Sequence, residues 1–147
     1  MTMHRRPLGR GRTLAALGGG LMVVGCVVPW WQVGGTPGIT AESGNGLAGA
    51  GIVVFLVGIA TLALVALPYA AGDRPVGVDR WLSFGFLAGA GWIGFGWRVV
   101  ELISVGAFQF STPAQVVTNG PGVWVAGIGL VMLSRATYVM TGESAYR

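Results

Sequence analysis

From Gly46 to Ala70 the chain runs for 25 residues without a charged side chain. As a helix rising 1.5 Å per residue, such a run more than spans the roughly 30 Å hydrocarbon core of a bilayer. Water cannot reach the backbone there, so a helix that closes its own hydrogen bonds is the structure such a run favours. Three further apolar segments follow the same logic: Leu14–Trp31, Trp81–Val105 and Pro121–Met140. Only 10% of the residues are charged, against about 25% in an ordinary soluble domain, and the mean hydropathy is +0.70. The expectation is one integral membrane domain over residues 1–147. Its fold class is all-α, a polytopic transmembrane four-helix bundle with helices at about 14–31, 46–70, 81–105 and 121–140.

Charge placement orients these segments. All nine basic residues are arginines, and eight of them lie on one side of the expected crossings. Arg5, Arg6, Arg10 and Arg12 precede the first segment, Arg74 and Arg80 separate the second from the third, and Arg135 and Arg147 stand around the end of the fourth. The connections 32–45 and 106–120 contain none. The positive-inside rule makes the arginine side cytoplasmic and places both termini there, in the cell membrane. Aromatic residues fall near the expected borders, with Trp30, Trp31 and Trp124 as outer interface anchors and Trp81, Tyr69 and Tyr138 as inner ones.

The net charge of +4 does not indicate nucleic acid, because the arginines are few and flank apolar runs. Cys26 is the single cysteine, which excludes an intrachain disulfide, a Cys-x-x-Cys pair and a thiolate zinc site. His4 is the single histidine, so neither a bis-histidine haem nor a histidine metal centre is expected. Cys26 has no basic partner, the serines have no histidine or lysine nearby, no acidic pair exists, and the glycines of Gly18–Gly20 lie inside an apolar run rather than after a strand. The expectation is a protein that is not an enzyme and needs no cofactor.

The N-terminal segment admits two readings. Val23-Val24-Gly25-Cys26 fits a lipoprotein cleavage box, and Arg5-Arg6 offers a weak twin-arginine cue. After Cys26, however, the residues stay apolar through Trp31, where a cleaved protein would pass into a polar linker. A retained helix is the favoured reading.

Arg98 and Glu101 are the charged residues standing well inside an apolar segment. Three residues apart on a helix, they share a face and can pair. Arg98 lies about 25 Å along the helix from Trp81, in the outer part of the membrane. The pair is a candidate either for a structural ion pair or for a binding or transport site, since intramembrane charges are costly and usually have a purpose. In the same segment Gly85, Gly89, Trp92 and Gly96 form a narrow stripe. Gly85-x-x-x-Gly89 is a helix-packing pattern, expected to contact a neighbour in the same bundle rather than a second copy. With Phe84, Leu87, Gly91, Gly94, Arg98 and Glu101 on another face, this helix is expected to be the most enclosed of the four.

A faint internal repeat runs at an offset of 76. Gly18-x-Gly20-x-x-Val23-Val24 matches Gly94-x-Gly96-x-x-Val99-Val100, and Gly44-x-Gly46 with Ala50-Gly51-Ile52 matches Gly120-x-Gly122 with Ala126-Gly127-Ile128. A duplication would give two helix hairpins of like orientation.

The glycine-containing first segment that ends in Pro29-Trp30, followed by a Gly-rich connection, resembles a loose class of small bacterial four-helix membrane proteins. The resemblance covers about residues 14–70 and implies four helices and no activity. The functional expectation is a non-catalytic accessory or assembly subunit of a larger membrane complex. Its expected partners are membrane lipids and other membrane subunits or a second copy. The alternative is a small oligomeric transporter or channel using Arg98 and Glu101.

Overall fold

The computed structural model describes residues 9–70, 80–107, 118 and 120–144. The elements, in chain order, are helix α1 (Arg10–Val27), strands β1 (Pro29–Val33) and β2 (Glu42–Asn45), and helices α2 (Gly51–Ala70), α3 (Arg80–Ser104) and α4 (Pro121–Ser144). The expected tight connection at 71–79 and most of the second loop lie outside the described residues.

Among the described residues, three helices are long and apolar enough to cross a membrane: Gly51–Ala70, Trp81–Ser104 and Pro121–Gly142. The expected first crossing is not among them. It starts on Arg10 and Arg12 and stops at Val27, four residues short of the expected Trp31.

Pro29 causes that early stop. It has no N–H to give the carbonyl of Gly25 four residues back, so the helical ladder breaks there. The indole of Trp30 replaces the missing donor, with Nε1 2.8 Å from Gly25 O. Val28 N–H still reaches Val24 O, and the next free carbonyl, Cys26 O, accepts from Gly46 N–H at 2.9 Å. The chain therefore leaves α1 as a strand. β1 pairs antiparallel with β2, with Trp31 opposite Gly44 and Val33 opposite Glu42. Gly34 and Gly35 turn the chain at φ +85, a conformation that suits glycine. The fold is mostly helical, with this short two-stranded hairpin inside the connection 32–45.

The expected role of Trp30 is corrected, since it is fully buried and anchors no interface. Its ring occupies space that Gly46 and Gly122 leave open; a Cβ at either would overlap it. Phe95 of α3 meets it edge-on at 5.6 Å. Trp30 therefore ties β1 to the turn before α2, to α3 and to the start of α4. Trp31 is half-buried, and Trp81 and Trp124 are exposed.

The helices pack in the cyclic order α1, α2, α3, α4, with α1 against α2 and α4, and α3 against α2 and α4. The shared core includes Met22, Val54, Phe84, Leu102, Leu130 and Leu133. The closest seam joins α1 to α4, where glycines remove the side chains between the backbones. A Cβ on Gly18 would lie 2.7 Å from Gly129 O, and one on Gly25 would lie 2.5 Å from Ala126 N. The expectation that the third helix is the most enclosed is overturned. In α3 only the face through Phe84, Ala88, Gly91, Gly94 and Leu102 is buried, while Phe86, Gly89, Ile93, Gly96 and Val100 are exposed.

Candidate functional site

Helix α2 begins without a cap of its own. Ala50 precedes it in place of a Ser, Thr, Asp or Asn, and its first turn holds no acidic residue. Its N-terminal N–H groups and the positive end of its dipole need an acceptor. The carboxylate of Glu101 on α3 lies beside the Ala50 backbone. The negative group facing the start of α2 thus comes from the neighbouring helix.

Three further contacts enclose that carboxylate. Arg98 Nη1 donates to Oε2 at 2.9 Å, and Trp97 Nε1 donates to Oε1 at 3.0 Å. Gly49 lies against both charged groups. A Cβ there would stand 2.6 Å from Arg98 Nη1 and 2.8 Å from Glu101 Oε2. Gly49 also has φ +59, so both space and backbone conformation call for glycine.

The Arg98 side chain is only 13% exposed and that of Glu101 37%. The arginine is therefore inserted between α2 and α3, with the carboxylate nearer the surface and partly shielded by the Trp97 indole. Arg98 Nε is buried with no hydrogen-bond partner among the described residues. The cluster can hold two helix ends together with little net charge. Both carboxylate oxygens already accept hydrogen bonds, so a solute would have to displace protein donors to reach them.

Thr61, Ser104, Ser134 and Thr137 each donate to a carbonyl of their own helix. Thr61 is the only fully buried polar residue among those described. No three His, Cys, Asp or Glu side chains come together among the described residues.

The structure thus brings together the sequence-derived pair Arg98 and Glu101, and adds Trp97, Gly49 and Ala50. Gly49 and Ala50 escaped sequence reading because their role depends on a helix some 50 positions away. The available signal was local: a long apolar helix opening on Ala48-Gly49-Ala50-Gly51 with no capping side chain.

The helix-packing stripe is placed differently from expectation. A Cβ on Gly89 or Gly96 would meet nothing within 4 Å, and one on Gly85 would only touch the Thr137 methyl at 3.4 Å. Gly89 and Gly96 face away from the other described helices. The glycines that make close helix contacts are instead Gly18, Gly19, Gly25, Gly58, Gly122 and Gly129, with Gly91 and Gly94 on α3. No family model, curated protein or solved structure matches the chain, so the Pro29-Trp30 ending of α1 assigns it to no family.

Proposed function

We propose that the protein is a non-catalytic integral membrane protein that works by packing against other membrane subunits, as an accessory or assembly subunit of a larger complex. The observation that carries this reading is the outward face of α3. Gly89 and Gly96, seven residues apart, leave open space on an exposed stripe that also carries Phe86, Ile93 and Val100. Small residues at this spacing allow a second transmembrane helix to approach closely, and van der Waals packing drives association in lipid.

The engaged state of Glu101 supports the same reading over transport. A transport site needs a group that solute can reach and polar stations on either side of it. Here both carboxylate oxygens accept from Trp97 and Arg98, and Thr61 and Ser134 donate to carbonyls of their own helices.

Four membrane-associated helices arranged as two hairpins of like orientation are part of this proposal. In its support, the Gly18–Gly129 contact and the Gly94–Val53 contact use positions 76 apart in both partners. The arginine distribution supports both termini on the cytoplasmic side of the cell membrane.

Purification of the full-length chain in mild detergent tests the function. Other membrane subunits in fixed stoichiometry are expected to co-purify and to be lost on Gly96→Leu. A symmetric homo-oligomer that conducts solute in vesicles, with flux abolished by Glu101→Gln, would replace this reading with a transporter.

A further inference from the structure

Helix α4 runs on to Ser144, past the Met140 at which the fourth crossing was expected to end. The extension leaves Arg135, the single charged residue of the apolar span Pro121–Gly142, well inside that span. Gly142 stands seven residues further on, about 10 Å at 1.5 Å per residue. Arg98 is inserted between two helices and paired with Glu101, whereas Arg135 is exposed. Trp124, Ile128, Val131, Arg135, Tyr138 and Gly142 recur at steps of three or four residues and are all exposed, so they form the outer stripe of α4. Among the described residues the only ion pair is that of Arg98 with Glu101, and no hydrogen bond engages the Arg135 side chain.

We propose that Arg135 and Tyr138 bind the phosphate of an anionic phospholipid at the arginine-bearing end of the bundle, a site that rests on the membrane-spanning reading above. An exposed guanidinium inside an apolar span is costly unless an anion meets it or the side chain reaches the headgroups. Tyr138 marks how near they lie. It is one turn further along the same stripe, about 4.5 Å, and exposed tyrosines of this kind sit at headgroup level. Tyr69 on α2 and Trp81 on α3 are exposed at the same end. Helical Cβ atoms tilt toward the N-terminus, which for α4 is the membrane interior, so the arginine stem has to bend back along the helix. Gly142 leaves room for the headgroup there, since a Cβ on it would meet nothing within 4 Å. A phosphate accepts two parallel N–H bonds from a guanidinium, and the Tyr138 hydroxyl can donate a third.

Charge and shape favour a lipid over a partner helix at this stripe. Gly11 of α1 lies against Met140, so Arg10 and Arg12 stand at the same end and add to its positive field. Basic residues beside a membrane surface attract anionic headgroups. A helix bringing a carboxylate to Arg135 would have to seat on Ile128, Val131 and Tyr138, all large and exposed. Close helix approach needs small residues instead, such as those on the outer face of α3, while lipid chains conform to a ridge.

Native mass spectrometry of the full-length chain in detergent, titrated with phosphatidylglycerol and with phosphatidylcholine, tests the site. The chain is expected to hold one phosphatidylglycerol in preference to phosphatidylcholine. Arg135→Leu should weaken that binding roughly tenfold, or ~1.4 kcal/mol, and Arg135→Lys should retain most of it. Tyr138→Phe should weaken it about threefold, as loss of one hydrogen bond does. If Arg135→Leu does not elute as folded protein, Arg135→Gln takes its place. Equal phosphatidylglycerol affinity in the wild type and the Arg135 variants would overturn the proposal. So would unchanged lipid binding with loss of a co-purifying membrane protein, which would pair Arg135 with a partner's carboxylate. Flotation with vesicles of both lipids separates the two readings. A wild-type chain that stays with the vesicles through an alkaline wash keeps the membrane reading whatever the titration gives, and one that washes off fells both.

Discussion

The seam between α1 and α4 and the seam between α3 and α2 are built at corresponding positions, 76 residues apart, but from different chemistry. Gly18 lies on Gly129 in the first, and Gly94 lies on Val53 in the second. Gly25 meets Ala126 in the first; at the matching place in the second, Glu101 lies beside Ala50. Met22, fully buried in the first, corresponds to Arg98. One seam is joined by removing side chains so that backbones touch. The other carries a charge pair beside the start of a helix. Close backbone packing gives dispersion contacts that tolerate no added atom, whereas an ion-pair latch is directional and depends on each partner remaining present. The two seams should therefore fail differently.

The largest effect is expected where both seams meet. Trp30 donates to Gly25 O in the first seam and packs on Phe95 of α3. Its counterpart 76 residues on is Gly106, which turns the chain at φ +71 instead of filling a core. Trp30→Ala should cost about 3–5 kcal/mol, as loss of a fully buried aromatic does. It also leaves Gly25 O without its donor. Thermal unfolding in detergent would measure this, and a loss below about 1 kcal/mol would show that Trp30 is not the junction described.

Next comes a direct contrast of the seams by adding one methyl group to each. For Gly18→Ala, the new carbon meets Gly129 O at 2.7 Å and Leu133 N at 3.0 Å, both backbone atoms of a packed helix. For Gly94→Ala, it meets Val53 Cβ at 2.7 Å and Cγ1 at 2.9 Å, with Ala50 O at 3.3 Å. A rotamer change moves Cγ1 but not Cβ, so α2 must also shift, though less than where two backbone atoms are met directly. Gly18→Ala should cost about 3 kcal/mol and Gly94→Ala about 2 kcal/mol, within the range for overpacking. Equal losses, read from parallel unfolding curves, would erase the distinction between the seams.

Much of this contrast was legible in the sequence, although its weight was misplaced. Arg98 and Glu101 stand out because charge is scarce in apolar helices, and the apolar runs predict helices within a few residues of those observed at 51–70, 80–104 and 121–144. The enclosed helix was not legible. Glycines occur on every helix, and periodicity reveals which of them share a face but not what that face meets. Gly85, Gly89 and Gly96 form a regular stripe that faces outward, whereas Gly18 and Gly25, spaced by seven, make the tightest seam. The β-hairpin was hidden for another reason. Pro29 signals a break, but whether the chain then forms a loop or a strand depends on Gly44 and Gly46 making room for Trp31 and Trp30. That pairing is tertiary and leaves no local pattern.

The ion-pair seam can be tested by converting it toward the chemistry of the first. Arg98→Met and Glu101→Gly install the residues found at 22 and 25. Arg98→Met leaves the carboxylate without its cation, and Glu101→Gly leaves a largely buried guanidinium unpaired and removes the carboxylate beside the start of α2. Each single change should cost about 2 kcal/mol, as expected for losing hydrogen bonds to a charged group. The double variant should cost less than the sum, because neither charge is then stranded. Strict additivity in this cycle would mean that the two residues stabilise the seam independently.

The smallest effect on stability is expected on the outward face of α3, where it separates folding from association. A Cβ at Gly96 meets nothing within 4 Å, so Gly96→Ala adds no clash within the protein. Alanine also restricts the unfolded chain more than glycine, worth up to ~1 kcal/mol in a helix interior. The isolated protein should therefore be unchanged or slightly more stable, in contrast to Gly18→Ala. If this face receives a partner helix, larger groups at Gly96 should progressively weaken co-purification, from alanine through valine to leucine, while the unfolding midpoint stays level. A midpoint that falls in step with side-chain size would place another part of the chain against Gly96. An unchanged midpoint with unchanged co-purification would show that this face meets only lipid, and would remove the observation on which the subunit reading rests.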